Sequence, residues 1–172
     1  YARREDAVQV WDRLWAAGLA HGIEPIGYRA VDGLRMEKGY RYIGVDLTPS
    51  DTPLHAGLEG CIDWAREGFV GRDAVLRARE AGLERRLRTL RIGDGGWLAV
   101  HGGEAVRLDG AVVSRLRSAA YGFTAGCVVA YASLPVDLPE GAEVEIDVLG
   151  ERVRGAVGPD VLHDPQNLRL RG

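Results

Sequence analysis

Lysine is almost absent: Lys38 stands alone among 22 basic residues, and all the others are arginine. Acidic residues still outnumber basic ones, giving a net charge of -3, so no overall positive field draws the chain to nucleic acid or to an anionic membrane surface. Cysteine is scarce too. Cys61 and Cys127 lie far apart among apolar neighbours, which excludes a disulfide scaffold and reads as two buried free thiols in a reducing, cytoplasmic compartment. The four histidines, His21, His55, His101 and His163, share no local spacing with a second ligand type, so no metal centre is expected. No apolar run approaches the roughly 20 residues that span a bilayer. The N-terminus, Tyr1-Ala2-Arg3-Arg4, has neither an initiator methionine nor a signal-peptide core, and reads as a point inside a longer chain.

What is present is glycine: 24 of 172 residues, with seven prolines, 46% hydrophobic and 27% charged. That composition excludes disorder and favours a turn-rich α/β or α+β protein with a real core. Asp6 and Gln9 resemble a capping box, and Val8, Trp11, Trp15 and Leu19 recur at helical spacing, predicting a helix over 6–17 that ends at Gly18. Its two tryptophans read as core anchors. A second short helix is predicted over 27–38, with Ala30, Val31 and Leu34 on one face and Gly39 as its stop; Gly33 inside it marks a place where a neighbour or ligand comes close. Ile43, Val45 and Leu47 alternate as a half-buried strand would, and 60–64 reads as a further short strand. A third helix follows over 72–81, closed by Gly82.

From residue 84 the pattern is β. Asp109-Gly110 is a type I′ hairpin signal, Val144, Ile146 and Val148 alternate strictly, and Leu149-Gly150 turns that strand back into Val153 and Val157. With strands near 86–92 and 126–132, about six strands are predicted, and closing them into a small antiparallel barrel removes exposed edges. The residues before 84 hold too little sheet to close a core of their own, as if partner strands came from upstream.

Read from the residues alone, the chemistry is sparse. Asp32, Arg35 and Glu37 read as solvent-facing charges on a short helix, and Arg85, Arg86, Arg88 and Arg91 as a solvated strand face. Gly57-Leu58-Glu59-Gly60 and Gly93-Asp94-Gly95-Gly96 lack the strand-loop-helix setting of a phosphate loop, and no G-x-S-x-G nucleophile motif occurs.

Four separated stretches resemble one family. Val10-Trp11-Asp12-Arg13-Leu14-Trp15-Ala16-Ala17-Gly18, Gly27 through Tyr40, Thr52-Pro53-Leu54-His55-Ala56-Gly57-Leu58 and Phe69-Val70-Gly71-Arg72-Asp73-Ala74-Val75-Leu76 are similar, in order, to the later part of the aminomethyltransferase (glycine-cleavage T-protein) family. Leu34 through Arg41 and Ser118 through Gly126 look more like its dimethylglycine and sarcosine dehydrogenase or oxidase branch. The resemblance implies an α+β chain. Residues 1–83 would be the tail of a folate-binding α/β domain, and residues 84–172 the C-terminal antiparallel β-barrel.

It also implies tetrahydrofolate as cofactor in the complete protein, with a small amine-derived one-carbon donor. FAD is implied only if an oxidase half lies upstream, since no dinucleotide-binding glycine fingerprint occurs in context. The family's catalytic aspartate and pterin-binding glutamate lie upstream of the first helix, so this chain alone is expected to be inactive and to need the missing N-terminal half or another subunit. Where T-proteins carry a folate-contacting arginine in an Ala-Arg-Asp triplet, this chain has Val31. Arg29 and Arg35 are its nearest substitutes for pairing a folate carboxylate; the other reading has them bridging Glu37 or Asp46. Tyr28 is placed to stack on a folate ring or to fill a core or interface. The alternative function is a non-catalytic binding module that kept the barrel and lost folate chemistry.

Overall fold

Closure is the main fact of the second half. In the computed structural model, which describes residues 1–172, β1 (Arg85–Ile92), β2 (Ala105–Leu108), β3 (Ala111–Gly122), β4 (Cys127–Pro135), β5 (Glu143–Val148) and β6 (Glu151–Val157) form a closed barrel in the order β1-β4-β3-β2-β5-β6. Every pairing is antiparallel. The sequence signals explain the corners: Asp109 and Gly110 take positive φ at the β2–β3 turn, and Leu149 and Gly150 do so between β5 and β6. Leu90, Ile92, Val106, Leu116, Val128, Ala130, Val144 and Ile146 point inward and form the core.

The arginine-rich β1 departs from expectation. Only Arg91 is exposed; Arg88 is buried and donates to the Leu138 carbonyl at 2.8 Å, and Arg86 reaches Asp160 at 2.9 Å. Asp160 and the Leu138 carbonyl anchor these side chains, although the Nε of each is buried without a partner, so the strand does not offer a solvated basic face.

Before the barrel come α1 (Ala7–Gly18), α2 (Tyr28–Glu37) and α3 (Arg72–Ala81); α4 (Leu168–Arg171) ends the chain. α1 runs past its predicted stop into a 3-10 turn over Leu19–His21, because Gly18 keeps helical angles and the left-handed residue is Gly22. No residue of α1 is buried. Trp11 and Trp15 stack on each other at 5.8 Å with Trp11 exposed, so the expected core anchors have no core here. Ile43 to Leu47 is a turn with a single bridge, not a strand: the Tyr42 carbonyl accepts from the amides of Asp46 and Leu47, and Ile43 points into solvent. Residues 60–64 likewise make no strand, but follow a 3-10 turn at Glu59–Cys61. Cys127 is buried as expected and Cys61 is exposed.

Candidate functional site

The site is built on α2. The face that meets the barrel is not the predicted Ala30-Val31-Leu34 stripe: Val31 and Leu34 are exposed, whereas Gly33, Arg35, Met36 and Glu37 are buried. Met36 joins Leu87, Cys127, Val129 and Tyr131 in a small second core between α2 and the outer barrel surface. Burial pushes the Tyr131 phenol up to about 12, and its hydroxyl donates to the Met36 carbonyl at 3.0 Å. Gly33 fulfils its predicted role. A Cβ there would lie 2.7 Å from the Tyr121 carbonyl oxygen, so only glycine lets the helix rest on β3.

Arg35 and Glu37, expected in solvent, tie α2 to the rest of the fold. Arg35 Nη1 donates to Asp46 Oδ2 at 2.6 Å and to the Tyr40 carbonyl at 3.1 Å; Nη2 donates to Ser118 at 3.0 Å and Nε to Asp32 Oδ1 at 3.1 Å. Its guanidinium also lies over the Tyr42 ring, 3.9 Å from the centroid. Burial opposes the Arg35 charge, but Asp46 and Asp32 outweigh it and hold the group above its ordinary range. Of the two partners weighed for Arg35, the structure supplies Asp46 and not Glu37. Glu37 instead accepts the amides of Thr124 at 2.6 Å and Ala125 at 2.7 Å, fixing the turn between β3 and β4.

Tyr28 and Arg29 occupy the first turn of α2 and are exposed. The Tyr42 phenol beneath them is pushed up by burial, then by Tyr28 and Asp32. The Arg29 side chain makes no hydrogen bond or ion pair, unlike that of Arg35, so its five donors are available to a ligand.

Arg29, Asp32, Trp97, His101, Tyr121 and Phe123 line a cleft of about 340 Å³ between α2 and the barrel. Its walls are held from behind. The Tyr121 hydroxyl donates to the Gly95 carbonyl at 3.1 Å, and Tyr121 meets Phe123 edge-on at 5.1 Å. The Glu104 carboxylate accepts the amides of His101 at 2.9 Å and Gly102 at 2.8 Å, which fixes the backbone beside the cleft. Sequence reasoning brought Tyr28, Arg29 and Arg35 together on one helix but missed Trp97, His101, Tyr121 and Phe123. They lie far along the chain from α2, beyond α3 and β1, and no local spacing links them to it. The one available signal was exposure-prone aromatics beside glycines, at Gly96-Trp97 and Gly122-Phe123.

No cluster of His, Cys, Asp and Glu is arranged to hold a metal ion, and no helix is long and apolar enough to cross a membrane.

Comparison with known proteins gives this geometry its setting. Residues 1–66 match the family model described as the GCVT N-terminal domain, and residues 85–164 match the glycine cleavage T-protein C-terminal barrel domain. The chain is 36% identical over 173 residues to a 4-methylaminobutanoate oxidase (formaldehyde-forming) of Paenarthrobacter nicotinovorans, a match covering all of this chain and 21% of that protein. It is 35% identical to the mitochondrial sarcosine dehydrogenase of Mus musculus, covering 98% of this chain and 19% of that one. The chain therefore spans about a fifth of the length of these relatives. Among solved structures, the glycine cleavage system aminomethyltransferase T from Bartonella henselae superposes with a TM-score of 0.75 at 26% identity, covering 87% of this chain and 44% of that one. With both family models matched in order and the barrel closed as that family's is, the chain belongs to the aminomethyltransferase (glycine cleavage T-protein) family, of which it represents the C-terminal part.

Proposed function

We propose that this chain walls the folate cleft of a tetrahydrofolate-dependent aminomethyltransferase-like protein that moves one carbon from an amine of the glycine, sarcosine or dimethylglycine type. In this reading residues 1–83 are the tail of the folate-binding domain and residues 84–172 its barrel. The observation that carries it is the uncommitted Arg29 on the exposed first turn of a helix that Arg35, Gly33 and Glu37 lock to the barrel. An exposed guanidinium on a fixed helix can make a bidentate pair with a folate carboxylate, as the family's arginine at the Val31 position would. Tyr28 beside it offers a ring to stack on. Arg35 works indirectly: its donors are taken up by Asp32, Asp46, Tyr40 and Ser118, and it positions Tyr28 and Arg29 by holding α2 in place.

Bound tetrahydrofolate supplies the nitrogens that capture the carbon. This chain's residues bind and orient it, while the carboxylate that steadies charge at the reacting nitrogen belongs to the upstream part of the protein. Such positioned groups commonly account for several kcal/mol of a barrier, about 3–4 for a single donor, so the 172-residue chain alone is expected to show no methylene transfer. FAD belongs to the complete protein only where an amine-oxidising half precedes this one, and a cytoplasmic setting accords with the free thiols. The competing reading, a non-catalytic module, draws on Val31 at the arginine position. Titrating 5-formyltetrahydrofolate into the chain, and into the protein that carries the upstream segment, separates them. Binding in the longer protein supports the folate reading; no binding in either form contradicts it.

A further inference from the structure

An aspartate followed by glycine can rearrange through its own main chain, because glycine leaves the next amide unshielded, and the sequence has three such steps: Asp32-Gly33, Asp94-Gly95 and Asp109-Gly110. The fold treats them differently. Asp32-Gly33 lies inside α2, where Asp32 Oδ1 accepts from Arg35 Nε at 3.1 Å and Gly33 is buried against β3. Asp109-Gly110 is exposed, but its peptide closes the β2–β3 turn: Leu108 pairs with Ala111 across it, and Arg107 Nη1 donates to the Gly110 carbonyl at 2.9 Å. Asp94-Gly95 has no such restraint. Both residues are exposed in the loop that follows β1, and from Asp94 through Ala99 no main-chain amide donates a hydrogen bond. Arg91 and Arg154 line the same groove as Asp94, yet neither bonds its carboxylate.

We propose that Asp94 is a site of spontaneous covalent modification, at which aspartate isomerises to isoaspartate and loosens the loop between β1 and β2. The Gly95 nitrogen attacks Asp94 Cγ, and the new N–Cγ bond closes a five-membered succinimide as the carboxyl OH and the amide hydrogen leave together as water. Water then adds back at either carbonyl of the ring. Opening at the side-chain carbonyl restores aspartate, whereas opening at the main-chain carbonyl leaves the chain running through the former side chain, one methylene longer, with a free α-carboxylate and no change in mass or charge. The added methylene falls directly before Gly95, whose carbonyl accepts from the Tyr121 hydroxyl at 3.1 Å and is the one polar tether between Asp94 and Trp97. Closing the ring also requires the Asp-Gly peptide to rotate. At Asp109 that rotation breaks the hairpin turn and at Asp32 it breaks a helix packed on the barrel, so those two steps wait on local unfolding and Asp94 does not.

The test ages the purified chain at neutral pH, once folded and once in urea, and locates isoaspartate at all three Asp-Gly steps by peptide mass spectrometry with fragmentation that separates the two isomers. In the folded chain isoaspartate should accumulate at Asp94 at least about tenfold faster than at Asp32 or Asp109, and in urea the three rates should converge. Asp94→Glu, an exposed substitution whose ring would need six members, should leave position 94 unmodified. Equal rates at the three steps in the folded chain would overturn the site, and so would an Asp94 that isomerises in urea but not in the fold. Loosening of the loop has its own readout, the rate at which chymotrypsin cuts after Trp97. Aged wild type should be cut several-fold faster than fresh, Tyr121→Phe should mimic that gain without ageing, and aged Asp94→Glu should match its fresh form. An unchanged rate in wild type shown to carry isoaspartate, or an equal gain in aged Asp94→Glu, would overturn the loosening.

Discussion

The barrel and α1 handle the same kind of sequence pattern with opposite results. Both have apolar residues at the period of their element. In the barrel these residues find one another across a closed sheet, and Leu90, Ile92, Val106 and Ile146 are fully buried. In α1, Val8, Trp11 and Leu14 face solvent, because a helix buries its stripe only against a second layer and this chain provides none for it. A closed sheet carries its own partner; an amphipathic helix does not. α2 lies between the two cases: it packs on the barrel through glycine, methionine and two buried charges, and leaves Val31 and Leu34 open on its far side.

The contrast can be broken most forcefully at the α2–barrel joint. Arg35→Ala would leave Asp46, which is completely buried, without its ion-pair partner, and should destabilise the chain by about 3–5 kcal/mol in urea unfolding. A loss below about 1 kcal/mol would mean that α2 is only loosely attached. Inside the barrel, Ile146→Ala should cost about 2–5 kcal/mol through lost burial and a residual cavity.

A smaller effect depends on pH. The Arg117 hydrogen bond to Asp51, at 2.6 Å, holds the Asp51 carboxyl down at about 2 against an ordinary 3.8. A depressed carboxyl stabilises the fold at pH values above its unfolded range, and that contribution is lost as pH falls from about 4 through about 2. Asp51→Asn should therefore lower stability at pH 6, with the difference shrinking as pH falls through about 2, read as the gap between the two unfolding curves. The smallest effect belongs to α1. Trp11→Ala should change the stability of the 172-residue chain by no more than about 0.5 kcal/mol, yet cost about 3–5 kcal/mol in a protein that carries the upstream sheet.

The barrel was legible because its signals are local. Asp109-Gly110 and Leu149-Gly150 dictate their turns by backbone geometry, and the alternation in β5 sorts inside from outside with no knowledge of the neighbours. α2 was legible as a helix but not in its orientation. The apolar count pointed to Val31 and Leu34, while the buried face is set by Gly33, which alone allows contact with β3, and by charges whose partners, Asp46, Ser118 and the Thr124 and Ala125 amides, are remote in sequence. Period-2 alternation at Ile43, Val45 and Leu47 misled for a related reason: a strand needs a neighbour, and Asp46 accepting the Tyr42 amide at 2.8 Å makes a turn more favourable. Of the candidate site, the helix was readable and the aromatic wall opposite was not, since only barrel closure brings Trp97 and Phe123 to Arg29.

Hydrogen exchange on the 172-residue chain, under conditions where it is a monomer, tests the central division most directly. Amides of α2, 28–37, should exchange on the slow timescale of the barrel strands, because the two form one packed body, whereas amides of α1, 7–18, should exchange orders of magnitude faster for want of a covering layer. Equal protection of α1 and the barrel strands would contradict it, and so would α2 exchanging as fast as α1.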